Sequence, residues 1–104
     1  MNENLFDGEG FLLDLDNWSE ELAHDIAHNE NITLTNEHLK IIHTLRRFYA
    51  EHQVALANRP FVKLIKNTYG AEKGNSIYLM TLFPESPAKI AAKIAGLPKP
   101  ANCL

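Results

Sequence analysis

The chain has a single cysteine, Cys103, among its 104 residues. One thiol closes no internal disulfide, so the stapled framework of small secreted domains is excluded. A reducing, cytoplasmic setting is the expectation. No apolar run approaches the roughly 20 residues of a membrane-crossing helix. The opening Met1-Asn2-Glu3-Asn4 has neither the basic stretch nor the apolar core of a secretory leader. Positive charge is also scarce: 10 Lys and Arg stand against 13 Asp and Glu, for a formal net charge of -3. No Lys or Arg precedes Lys40. Binding to a phosphate backbone rests on clustered Lys and Arg, so direct nucleic-acid binding is disfavoured. Neither a Gly-rich phosphate loop nor a Ser-His-Asp order is present, and Asp14 and Asp16 are adequately explained as helix-start acids.

What is present suits one packed domain. An apolar content of 45% is too high for a disordered chain, and this length buries a modest core without staples. Two short apolar runs around Asp7-Gly8-Glu9-Gly10 predict a small N-terminal β-hairpin, marginal alone and needing a surface to lie on. Asp16 or Asn17 is placed to cap a first helix, in which Trp18, Leu22 and Ile26 recur at four-residue spacing. Thr35 caps a second helix running to about His52, with Leu39, Ile42, Leu45 and Phe48-Tyr49 as its apolar stripe. Arg59-Pro60 opens a third, stopped at Gly70. Asn75 caps a fourth over Ile77 to Phe83, and Ser86-Pro87 starts a fifth that Gly96 terminates. The expectation is a mainly α domain over 1–104: a compact five-helix orthogonal bundle, a small N-terminal hairpin, and a mobile, extended C-terminal arm over 97–104.

Helices three and four admit a helix-turn-helix drawing. A DNA-reading helix would open with basic and amide side chains, whereas this one opens Asn75-Ser76-Ile77-Tyr78 with Lys73 just before it. A packed helical hairpin is the plainer account. His24 and His28 stand four apart on one helix, a spacing that can chelate a metal, with Glu21 nearby. A zinc site wants three or four ligands, and solvated side chains explain these residues more simply. No metal or cofactor is implied.

The tail reads Gly96-Leu97-Pro98-Lys99-Pro100-Ala101-Asn102-Cys103-Leu104. Its prolines favour extended backbone, and at roughly 3.1 Å per residue the eight residues after Gly96 reach about 25 Å. A thiol on such an arm suits entry into another protein's active site; a frayed end with an incidental cysteine is the alternative.

The residues here carry a resemblance. Gly74-Asn75-Ser76, Tyr78-Leu79, Leu82-Phe83-Pro84, Pro87-Ala88-Lys89 and Lys93 to Pro100 with Cys103 resemble the TusE/DsrC family. Gly10-Phe11-Leu12, Trp18-Ser19, the Thr35/His38 helix start and Phe48-Tyr49 agree with it, so nearly the whole chain is covered. The ending Ala-Gly-Leu-Pro-Lys-Pro-x-x-Cys is the most specific part. The resemblance implies a sulfurtransferase in which Cys103 carries sulfur. In the DsrC branch, which works with dissimilatory sulfite reductase, a second cysteine pairs with this one; here that position is Ala92. The TusE branch relies on one cysteine. It accepts sulfane sulfur from the TusBCD complex and hands it to the tRNA 2-thiouridine synthase that thiolates the wobble uridine. The resemblance places this sequence on the TusE side. Leu97, Pro98 and Pro100 are then expected to stiffen the arm and enter a partner groove, and Lys93 and Lys99 to steer towards acidic surface or steady a persulfide. Arg59 and Lys63 match family positions near the arm's base. The rival classes are a DsrC-like partner of sulfite reductase, a DNA-binding regulator, and an inert module whose tail is only a docking peptide.

The thiolate is the reacting species in sulfur exchange. A carboxylate at Leu104 disfavours it, and Lys99 lies too far along an extended arm to offset that charge. With a reference pKa of about 8.5, only a few per cent of the thiol is ionised at neutral pH. Alkylation of Cys103 against pH in the isolated protein is therefore expected to show an unactivated thiol. An apparent pKa well below 7 contradicts a thiol that is activated only on docking.

Overall fold

The computed structural model describes residues 3–101. Five helices follow two short 3-10 turns, Glu3–Leu5 and Leu15–Asn17: α1 (Glu20–Asn29), α2 (Asn36–His52), α3 (Asn58–Tyr69), α4 (Ser76–Leu82) and α5 (Pro87–Ile94). The mainly helical expectation and the five helices are found. The last helix is the hub, since α5 packs against α1, α2, α3 and α4. Its sequence explains the position. Ala88, Ala91, Ala92 and Ala95 are all buried, and side chains this small let neighbouring backbones approach from several directions. Phe61, Phe83, Ile42, Ile65, Leu79 and Ile94 fill the remaining space, with no more than 2% exposure. Each such residue is worth about 1.5–3 kcal/mol in burial.

The expected N-terminal β-hairpin is not there. A single antiparallel bridge joins Phe6 and Leu12, with no ladder beyond it. The local chemistry explains this. The Asp7 carboxylate accepts from the backbone N–H of Glu9 (2.8 Å) and of Phe11 (2.9 Å), tying the chain into a side-chain-built turn. On either side, the 3-10 turns remove the length a second pair of rungs would need. The reversal rests instead on Phe11 and Leu12, which are buried.

Helix ends also differ in instructive ways. Ser19, not Asp16 or Asn17, caps α1, accepting from the N–H of Leu22 at 3.0 Å. Asp14 instead caps the 3-10 turn that contains Asp16 and Asn17. Thr35 caps α2 as expected, in a capping box whose third residue is His38. Helix α3 begins at Asn58 with no side-chain cap of its own. The Asn58 carboxamide oxygen accepts from the N–H of Ala88 at 3.0 Å, so this residue caps the start of α5. Asn75 caps α4 by accepting from Tyr78 N–H at 2.8 Å. Gly74 just before it is buried against α3, where a Cβ would lie 2.1 Å from the Lys66 Cα.

The α3–α4 turn is tied to α2 through Glu37. Its carboxylate accepts from Lys73 Nζ, from the Tyr78 hydroxyl at 3.0 Å and from Lys40 Nζ at 3.2 Å. Those bonds, the one from Lys73 foremost, hold its pKa down to about 2 from 4.5, and Lys73 is raised in return. A depressed carboxylate contributes stability that is complete above its unfolded pKa and lost as pH falls through the folded one. The contribution is therefore expected to disappear between about 4.5 and about 2. Acid titration of thermal unfolding, wild type against Glu37→Gln, checks it: the two curves should draw together from about 4.5 and meet only near about 2, and parallel curves contradict the role.

Candidate functional site at the root of the arm

Cys103, the candidate sulfur carrier, lies outside the described residues. What the structure does define is how the arm that leads to it leaves the body. A helix ends with four carbonyls that lack intrahelical partners. At the end of α5 the N–H of Gly96 donates to Lys93 O (3.1 Å) and the N–H of Leu97 to Ala92 O (3.0 Å). With Gly96 left-handed at φ 72°, this is a Schellman turn. The next two carbonyls are taken by side chains from far away in sequence. Trp18 Nε1–H donates to Ile94 O at 2.9 Å, and Arg46 Nη1–H to Ala95 O at 2.8 Å. The Arg46 guanidinium also lies 4.1 Å from the Trp18 ring centre and reaches Leu15 O at 3.4 Å. Burial lowers the Arg46 pKa, and the nearby Asp16 charge opposes that shift.

The polarity of the sequence is resolved around this root. Lys99 Nζ lies 3.1 Å from Glu9 and Lys93 Nζ 3.7 Å from Glu30, so late basic residues fold back on early acids. The Lys93 side chain is only 13% exposed and its ammonium stands 5.1 Å above the Phe11 ring. Leu97 and Pro100, expected to enter a partner's groove, are buried against this protein's own body. Pro98 and Lys99 are exposed, and Pro98 forms one wall of an open groove of about 620 Å³ with Leu13, Leu15, Tyr49 and Gln53. Arg59 and Lys63 are exposed on α3. Of the expected contact residues, Lys93, Leu97, Pro98, Lys99 and Pro100 gather at the root because they follow one another; nothing described ties Arg59 or Lys63 to them.

Arg46 and His38 are the residues that sequence reasoning missed. Arg46 takes an i, i+4 place on the α2 stripe after Ile42, a charged side chain on an otherwise apolar face. His38 is 6% exposed, bonding Thr35 through Nδ1 and Leu82 O through Nε2 at 2.8 Å. By contrast, the exposed face of α4 carries Ile77 and Met80, and the adjacent Lys73 is engaged by Glu37. That face lacks the basic character a DNA-reading helix requires. Among the described residues no helix is long and apolar enough to cross a membrane.

A five-helix domain that clamps the root of a proline-marked arm is the class this geometry defines. The family model described as DsrC like protein matches residues 2–104, and the chain belongs to that family. It is 53% identical over 98 residues to Sulfurtransferase TusE of Sodalis glossinidius (strain morsitans), covering 94% of this chain and 91% of that one. Against Sulfurtransferase TusE of Escherichia coli (strain K12) the identity is 51%, covering 94% and 90%. The solution structure of Allochromatium vinosum DsrC superposes with a TM-score of 0.87 at 46% identity, over 95% of this chain and 88% of that one. The oxidized gamma-subunit of the dissimilatory sulfite reductase (DsrC) from Archaeoglobus fulgidus gives 0.80 at 41% identity, over 95% and 90%.

Proposed function

We propose that this chain is a sulfurtransferase of the sulfur-relay type, with Cys103 as the carrier. It accepts sulfane sulfur from a TusBCD-type donor and passes it to a tRNA 2-thiouridine synthase for thiolation of the wobble uridine. The observation that carries the proposal is the single thiol beyond Gly96-Leu97-Pro98-Lys99-Pro100, in a chain about half identical to proteins named Sulfurtransferase TusE. The Cys103 thiolate attacks the outer sulfur of a donor persulfide. A new S–S bond forms as the donor's S–S bond breaks, and the donor cysteine leaves as thiolate. Cys103 now holds the persulfide, and the acceptor's cysteine thiolate attacks its outer sulfur in the same way. Both steps exchange one S–S bond for another, with no net oxidation, so no cofactor is called for. Positioning of the arm, rather than deep chemical activation, then sets the rate.

Ala92 disfavours a sulfite-reductase role that depends on two sulfurs in one chain. The position supplies a methyl group, and it is buried in α5 at 3% exposure.

A strain deprived of its own carrier of this type supplies the test. The wild-type chain is expected to restore 2-thiolation of the wobble uridine and Cys103→Ser to restore none. Full rescue by the serine variant contradicts the proposal.

A further inference from the structure

The Schellman turn is sufficient to end α5, and core contacts with four other helices hold that helix in place. Trp18 and Arg46 add two further ties. They engage the carbonyls of Ile94 and Ala95, two fully buried residues whose carbonyls the Schellman turn leaves unpaired, just before Gly96 and the arm. The guanidinium sits where the helix dipole is negative and stacks on the indole, so the pair acts as one plate. Gly96 is pressed against the same plate: a Cβ there would meet Trp18 Cδ1 at 2.5 Å. The two side chains come from the end of the Leu15–Asn17 turn, just before α1, and from the middle of α2, so the arm's departure is referenced to two elements besides its own helix.

We infer that Trp18 and Arg46 are positioning residues that aim the arm for transfer between proteins. The inference rests on the carrier reading of Cys103. Fixing the two carbonyls just before Gly96 sets the direction in which Leu97 and the residues after it leave α5. A protein donor must receive the thiol from a defined direction, while a small donor reaches it from any. The clamp is therefore a device for protein-to-protein exchange and leaves the intrinsic reactivity of the thiol untouched.

Two readouts separate this from a role in stability alone. A dye on Cys103, attached without engineering because no other thiol is present, reports arm motion by time-resolved anisotropy. Sulfur loading is measured in parallel with a TusBCD-type persulfide donor and with glutathione persulfide. In Arg46→Met, which keeps the aliphatic stem, depolarisation should widen. Loading from the protein donor should fall about tenfold in kcat/KM, while loading from glutathione persulfide stays within about twofold. Trp18→Phe keeps a ring under the guanidinium and loses one donor, so it should fall by a smaller factor, about threefold. Arg46→Lys returns the charge and should recover part of the loss. A folded Arg46→Met with wild-type anisotropy and wild-type loading from the protein donor overturns the inference, as does an equal fall with both donors. If Arg46→Met does not fold, Trp18→Phe decides by the same readouts. Should the wild type load from neither donor, the carrier reading fails, and the anisotropy still decides whether the clamp holds the arm.

Discussion

Gly96→Ala is expected to lower the melting temperature by roughly 10–20 °C. Two costs add. The residue sits at φ 72°, a conformation that costs a side-chain-bearing residue about 1–2 kcal/mol. The new methyl group would also stand 2.5 Å from Trp18 Cδ1 and 3.1 Å from Leu12 Cδ2. Neither neighbour moves freely, because Trp18 is tied to Ile94 O and stacked under Arg46, and Leu12 is buried. Overpacking of this kind adds about 1–3 kcal/mol. Displacement of the indole would break the clamp as well, so dye motion on Cys103 should widen as in Arg46→Met. Calorimetry and anisotropy on the one variant check both parts. A melting temperature within a few degrees of wild type contradicts the packing described for the arm's root.

His38→Leu should cost about 2–4 kcal/mol, a second large effect from a residue with no part in sulfur chemistry. The Thr35 N–H donates to Nδ1 at 3.1 Å, which leaves Nε2–H to donate to Leu82 O at 2.8 Å. Leu82 is the last residue of α4, so the imidazole satisfies a helix-end carbonyl while completing the cap of α2. The ring also meets Phe83 edge-on, with centroids 5.2 Å apart. Leucine fills similar space but abandons both bonds and leaves a part-buried carbonyl without its donor. His38→Gln returns a donor at the place of Nε2 and loses the bond from Thr35 N–H to Nδ1, so it should recover about half of the lost stability. Denaturant unfolding of the three proteins checks the order. If leucine proves as stable as histidine, the cross-helix tie is not a source of stability.

The parts of this fold that were legible in sequence are those set by near neighbours. Thr35, Asn75, Pro87 and Gly96 mark helix ends through contacts a few residues away, and α2, α4 and α5 lie within a residue or so of where those signals put them. The missing hairpin is not legible in sequence, because two apolar runs around a glycine-bearing turn look alike whether or not strands pair. The Asp7 carboxylate takes the Phe11 N–H that the next rung of strand pairing would need. Asn58, His38, Trp18 and Arg46 all act across long sequence separations, on Ala88, Leu82, Ile94 and Ala95. Their partners are backbone groups, which no pattern of side chains announces. A faint cue existed for two of them: His38 and Arg46 are polar residues on the stripe that α2 turns towards the core. A polar group in such a place is expected to have found a buried partner. The proposed role of Cys103, in contrast, rests on sequence alone: its position and the prolines before it.

Mass spectrometry of the intact protein after incubation with a TusBCD-type persulfide donor tests the central claim most directly. The account predicts a gain of one sulfur atom, located on Cys103 and removed by a thiol reductant, with no gain in Cys103→Ser. A wild-type chain that gains no sulfur, or a serine variant that gains as much, contradicts it.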